Sequence, residues 1–380
     1  MKDIVIFKST KDTETQNEEA SERSCKYTIY KSIPENGLVV YIPGFGEDLG
    51  TYRDNFCMSI CKEHRISAMT VDYHCIGSRP ISGAQIYFEE SDIEEIRKEI
   101  PDFNEKDWNK ELEQYAKQTK KELIFSAGIS PTNNEYQNFG ILAAIDIINA
   151  INDALQRYRI DKNNITLIGS SYGGYLANLV TKIKPGAIRL VLDNSSWAKP
   201  NLSYIVGREI NSPEFTYSIN NKIKLQLYVK TPWTLKDSGN NRFTGAVKEI
   251  RSFTIDQVKQ MANQGATNTE YIFYHSIKDT FIAPVSEKKQ MINDMESQGF
   301  MKINFKIFNI SDIGRKKIKS LDHGMRLSMK NFFKEHLKEN NDFRCSTITE
   351  STYTAVDHIY KFKNLNSLIE LDIAKNQKEK

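Results

Sequence analysis

The residues best placed to do chemistry stand in Ile165-Thr-Leu-Ile-Gly169-Ser170-Ser171-Tyr172-Gly173-Gly174-Tyr175. An apolar strand runs straight into a Gly-x-Ser-x-Gly turn, and a helix is expected over 175–183. So sharp a turn forces its central residue into a strained conformation and exposes the side chain at the strand's end. Glycine flanks it because a larger side chain would collide across the turn. The Ser171 hydroxyl then sits at the start of a helix, whose dipole favours developing negative charge. A bare Gly-x-Ser-x-Gly is common by chance; in register between strand and helix it points to a nucleophilic Ser171. Ser170 is expected to point the other way and to be structural.

A serine hydroxyl needs a base, and the base needs an orienting carboxylate. For a nucleophile on such a turn the chain order is nucleophile, acid, histidine. Of His64, His74, His275, His323, His336 and His358, only His323 follows the last predicted core strand and precedes the last predicted core helix. It is the expected base. His336 falls inside that helix and His358 beyond it. For the acid, Asp279 in His275-Ser-Ile-Lys-Asp279 lies just past a predicted strand and is preferred to Asp193, which ends another. Asp322 reads as a turn former. An oxyanion formed at the attacked carbonyl needs two backbone donors. The amide of Tyr172 is one expectation; Phe45, in the turn Pro43-Gly-Phe-Gly46, is the other.

These residues need a scaffold that brings strand ends to one edge. Strands are expected at 3–8, 26–31, 38–42, 68–72, 165–168, 188–192, 271–274 and 303–308. Helices are expected at 52–63, 139–158, 175–183, 285–298 and 325–337. Such alternation argues for a mostly parallel sheet with helices on both faces. Two stretches interrupt it. Residues 81–134 are rich in charge and read as a helical excursion; residues 197–268 are polar and read as a candidate lid or a decorative insertion. The core domain is expected to span 1–340, leaving 341–380 as a C-terminal appendage.

Composition narrows the function further. The 380 residues carry 52 Lys+Arg against 49 Asp+Glu, a net charge of +3, which gives no reason to expect a nucleic-acid partner. The Lys-rich end from Lys375 is expected to be a solvated tail. No apolar run is long enough to span a membrane, and the N-terminus reads as a strand rather than a leader. Five scattered cysteines fit no disulfide framework. Cys57 and Cys61 share metal-ligand spacing, but no second pair completes a site, so neither metal nor cofactor is expected. Reduced thiols fit a cytoplasmic location.

With these motifs in place, the chain resembles the α/β-hydrolase superfamily, in particular its prolyl-oligopeptidase-like and dienelactone-hydrolase-like branches. Gly169-Ser-Ser-Tyr-Gly-Gly-Tyr175 is similar to their nucleophile elbow, and His275-Ser-x-x-Asp279-x-x-x-x-Pro284 to their acid segment. Asp322-His-Gly324 is similar to their histidine segment, and Asp72-Tyr-His-Cys-Ile-Gly-Ser78 to a loop beside the site. Ser276 stands where glycine is common. The chain also resembles a bacterial family associated with surface-glycan loci. The resemblance implies an α/β-hydrolase fold and acyl transfer through an acyl-serine, on a small ester, thioester or amide. Ester hydrolysis is expected ahead of peptide hydrolysis. Transfer to a sugar or amine acceptor, and a noncatalytic ligand-binding role, are the alternatives. Oligomeric state is not legible.

Overall fold

Runs that are apolar at consecutive positions form the middle of an eight-stranded sheet in the computed structural model, which describes residues 2–15, 23–33, 36–45, 50–314, 318–337 and 342–376. Its strands are β1 (Lys2–Ser9), β2 (Arg23–Tyr30), β3 (Leu38–Ile42), β4 (Ser67–Asp72), β5 (Ile165–Ser170), β6 (Leu190–Asn194), β7 (Glu270–Ser276) and β8 (Ile303–Phe308). Their spatial order is β1-β2-β4-β3-β5-β6-β7-β8. β2 alone runs against the rest; β4, β3 and β5 through β8 pair in parallel. This is the strand order and direction of an α/β-hydrolase sheet. The central strands β3 and β6 are buried at every residue, as parallel strands covered on both faces must be. β1 alternates exposed and more buried positions, as an edge strand does.

Seven helices of the same unit matter below: α1 (Thr51–His64), α2 (Ile141–Arg157), α3 (Tyr172–Ile183), α4 (Gly245–Ile250), α5 (Ile255–Asn263), α6 (Val285–Ser297) and α7 (Met329–His336). Val39, Tyr41, Ile168, Leu192 and Tyr274 pack one sheet face against α1 and α7, through Phe56, Ile60, Phe332 and Phe333. α2 and α3 contact each other and pack on strands of the sheet. Asp146 on α2 is fully buried, yet it is ion-paired to Arg23 at 2.8 Å and accepts the His74 amide at 2.9 Å. A carboxylate removed from water needs such partners.

The chain divides into two units. The first comprises residues 1–74, 140–200 and 243–380; the second comprises 75–139 and 201–242. The second has its own four-stranded sheet, ordered Gln85–Tyr87, Leu123–Ser130, Ile223–Val229, Phe215–Ser218. Its core gathers Ile96, Leu112, Phe125, Ala127, Leu225 and Leu227. Residues 81–134 are therefore not a purely helical excursion. They hold helices at Glu90–Arg97 and Trp108–Gln118, but Leu123–Ser130 pairs in parallel with Ile223–Val229, a strand a hundred residues on. Of 197–268, residues 197–200 and 243–268 belong to the first unit, and the latter include α4 and α5. Residues 350–375 form a three-stranded antiparallel sheet, clustered with the first unit and fastened to it by the Tyr353 hydroxyl donating to Lys182 O.

Two predicted helix bounds shift for backbone reasons. The last helix starts at Met329 rather than Met325, because Met325 and Arg326 adopt φ of 54° and 45°, outside the helical region. The helix after the elbow starts at Tyr172, directly after Ser171. Gly46 and residues 377–380 lie outside the described residues. No helix among the described residues is long and apolar enough to cross a membrane.

Candidate active site

The elbow is built by exclusion of side-chain volume. Ser171 stands between β5 and α3 with φ 55° and ψ −121°, a conformation that non-glycine residues avoid. A Cβ on Gly173 would lie 1.9 Å from Ile42 O, and one on Gly169 would lie 2.3 Å from Gly173 C. Neither position admits any residue but glycine. Ser171 N donates to Asn194 O at 2.8 Å, so the end of β6 carries the strained residue.

The structure brings Ser171, His323 and Asp279 together. His323 Nε2 lies 2.7 Å from Ser171 Oγ, and His323 Nδ1 lies 2.6 Å from Asp279 Oδ2. With Nδ1–H donating to the carboxylate, Nε2 is left to accept the hydroxyl proton. Asp279 sits in the loop after β7, buried, and its other oxygen accepts the Ala283 amide at 3.0 Å. Two loops distant in sequence are tied by the Ser276 hydroxyl, which donates to Leu321 O at 2.6 Å. Asn194 supplies another tie: its Nδ2 donates to Gly324 O at 3.0 Å and to Ser170 Oγ at 2.9 Å. Ser170 thus bonds away from His323.

His275 lies under the acid loop, buried, with Nε2 donating to Ala283 O at 2.7 Å and 3.7 Å from Asp279 Oδ2. Burial, reinforced by the Lys288 ammonium, holds its pKa below the ordinary histidine value. At neutral pH it is therefore held as the uncharged imidazole. The rival acid, Asp193, is engaged elsewhere. It accepts from Asn178 Nδ2 at 2.7 Å, Ser196 N at 3.1 Å, Ser196 Oγ at 2.5 Å and Lys288 Nζ at 3.2 Å. Asp322 is exposed and His336 bonds the Tyr274 hydroxyl at 2.9 Å; neither is bonded to Ser171 or His323.

Tyr172 follows the serine directly, and Phe45 lines the same cleft. Tyr172 opens α3, where backbone N–H groups have no acceptor within the helix. A Cβ on Gly44 would lie 2.7 Å from Ser170 O and 3.3 Å from Ser171 Cβ, so the chain leading into Phe45 runs against the elbow. The Phe45 ring stacks on Tyr172 at 4.2 Å and 12°. A cleft of about 870 Å³ opens here, lined by Phe45, Tyr52, Ser171 and His323 among others. That volume suits a small organic molecule. Reading the sequence alone missed Asn194 and the cleft residues Lys319 and Arg326; the latter two stand four before and three after His323. The five cysteines form no disulfide, and no group of three or more His, Cys, Asp or Glu side chains among the described residues is arranged to hold a metal ion.

Solved structures with a similar chain course include an acylaminoacyl peptidase of Pyrococcus horikoshii, 13% identical over 81% of this chain and 37% of that chain, with TM-score 0.44. A thermostable esterase matches at 11% identity over 87% of this chain and 60% of that one, TM-score 0.43. Esterase 2 of Thermogutta terrifontis, phosphonylated by cyclosarin, matches at 10% identity, 79% and 82% coverage, and TM-score 0.38. This chain spans under half the length of the peptidase, and at these identities no activity transfers from any of them. No curated protein matches in sequence. The family described as protein of unknown function DUF2920 matches residues 8–373, and the chain belongs to that family.

Proposed function

We propose that this protein is a serine hydrolase that cleaves small carboxylic esters through an acyl-serine. The observation that carries the reading is the continuous line of contacts from Ser171 Oγ to His323 Nε2, and from His323 Nδ1 to Asp279. In the first step Ser171 Oγ bonds to the ester carbon while its proton passes to His323 Nε2. The carbonyl oxygen becomes an oxyanion facing the amides of Phe45 and Tyr172, where fixed dipoles stabilise it without reorganising. Collapse breaks the bond to the alcohol, which takes the proton from His323. Water then attacks the acyl-serine, gives its proton to His323, and the acid leaves as Ser171 is reprotonated. Asp279 holds the imidazole in the tautomer these steps need and stabilises the imidazolium between them. Five cysteines without a disulfide among them are consistent with a reducing, cytoplasmic compartment.

A fluorophosphonate probe tests the proposal, since only an activated serine reacts with it. The wild-type protein is expected to label at Ser171, and Ser171→Ala to remain folded and unlabelled. Well-folded wild-type protein that does not label would leave a ligand-binding role in its place.

A further inference from the structure

The chain as a whole is nearly neutral, but the cleft at Ser171 is not. Among the described residues lining it are two cations, Lys319 and Arg326, and no carboxylate. The Asp279 carboxylate beneath His323 is buried and does not line the cleft. The backbone brings the two cation-bearing residues to one place in the fold. Lys319 N donates to Met325 O at 3.1 Å, so the two strands of the His323 loop meet one residue before Arg326. Met325 is fully buried, and both Met325 and Arg326 hold positive φ. The turn that seats His323 therefore also fixes where Arg326 projects. Neither the Lys319 ammonium nor the Arg326 guanidinium makes an ion pair or hydrogen bond with any described residue, although many other surface cations here are paired. Two like charges lining one cleft with no counter-charge among its described residues repel, and a bound anion offsets that cost.

We propose that Lys319 and Arg326 form a carboxylate-binding subsite, so that the preferred substrate is an ester bearing a free carboxylate near the scissile bond. The proposal rests on the serine-hydrolase reading for the ester but not for the anion. The planar guanidinium pairs with a carboxylate through two parallel N–H donors, and the ammonium adds a point charge. Uncharged Ser328 and Asn331 also line the cleft. Anchoring the carboxylate would hold the ester carbonyl against Ser171, so the pairing selects the substrate and positions it.

Binding is tested apart from turnover with the Ser171→Ala protein, using monomethyl succinate and its neutral counterpart dimethyl succinate, followed by calorimetry. The monoanion is expected to bind about tenfold tighter, as a charge-assisted bidentate contact provides. That gap should close in Ser171→Ala carrying Lys319→Gln and Arg326→Gln, and shrink as salt rises from about 0.05 to about 0.5 M. Both altered side chains are exposed, so circular dichroism should show an unchanged fold. Equal binding of the two esters, binding of neither, or a gap that survives the double substitution would overturn the subsite. In parallel, wild-type protein is offered the p-nitrophenyl hemiester of succinic acid and p-nitrophenyl butyrate. A higher kcat/KM for the hemiester, with the ratio falling about tenfold in the double variant, supports the subsite. Absence of both turnover and fluorophosphonate labelling, with the binding gap intact, would overturn the hydrolase reading and leave the anion site standing.

Discussion

Replacing Asp279 by Asn separates charge and tautomer from shape. The amide is the same size as the carboxylate. Its oxygen can keep the Ala283 amide now bonded at 3.0 Å, which turns the NH2 group toward His323 Nδ1, 2.6 Å from the present Oδ2. A donor in that place makes Nδ1 the acceptor and puts the proton on Nε2, where it blocks uptake of the Ser171 proton. The same exchange at other Ser-His-Asp sites costs about ten-thousandfold in kcat. Four factors of ten correspond to about 5.4 kcal/mol of lost transition-state stabilisation. The rate of p-nitrophenyl ester hydrolysis at neutral pH measures it, with fluorophosphonate labelling as a second readout. Asp193→Asn is the control. It removes the counter-charge of buried Lys288, 3.2 Å away, and should cost about 3–5 kcal/mol of stability. The kcat/KM of its folded fraction should stay within about threefold of wild type, since the amide keeps the shape of the side chain and Asp193 bonds neither Ser171 nor His323. Asp279→Asn retaining near-wild-type activity while Asp193→Asn loses it would refute the reasoning and move the acid to β6.

Further outcomes follow from packing and burial. Gly173→Ala would press a methyl group to 1.9 Å from Ile42 O and 2.8 Å from Pro43 O, so the elbow must open; urea denaturation should show a loss of about 3 kcal/mol or more, and an unchanged midpoint would refute the close approach. Arg251→Ala strips the guanidinium from buried Glu14, now bonded to it at 2.8 and 2.6 Å, and should cost about 3–5 kcal/mol by the same assay. Because the folded pKa of His275 is depressed, the unfolded chain binds the extra proton first. Its contribution to stability is intact above about pH 6.5, the unfolded value, and is lost as pH falls below it. Denaturation midpoints measured on both sides of that value should separate, and the difference should be smaller in His275→Gln.

Each member of the Ser171, Asp279 and His323 set is legible in the sequence because it immediately follows a strand-like run or precedes a helix-like one, and a parallel sheet gathers such loops at one edge. The same logic hides what joins the loops. Nothing local to Asn194 or Ser276 says that they will meet Gly324 and Leu321, which lie 130 and 45 residues away. The second unit is hidden for a related reason. Leu123–Ser130 contains Ser126 and Gly128, and its parallel partner Ile223–Val229 is remote, so short-range periodicity sees only the charged helices that precede it. Gly128 has a physical role there, since a Cβ would lie 2.2 Å from the Tyr87 ring. The C-terminal strands carry inward Tyr353, Tyr360, Phe362 and Leu371, an alternation that becomes informative once the antiparallel pairing is known.

Acceptor capacity explains why Asp279 rather than Asp193 faces the imidazole. A carboxylate offers about four lone-pair positions. Asp193 already receives four donors, three of them on Oδ2, and a Cβ on Gly174 would meet its Oδ1 at 2.7 Å. It is a strut behind the elbow, holding the first turn of α3 through Asn178 and the chain after β6 through Ser196. Asp279 gives Oδ1 to Ala283 and keeps Oδ2 for His323, with buried His275 packed 3.7 Å from Oδ2. The remaining freedom in the three loops is removed by ties that do not touch a reacting atom: Ser276 to Leu321, Asn194 to Gly324, and Ser171 N to Asn194 O. A hydroxyl, an imidazole and a carboxylate supplied by three separate loops stay within hydrogen-bond reach only if those loops are fixed to one another, and it is this cross-bracing, more than any one of the three side chains, that pre-organises the site.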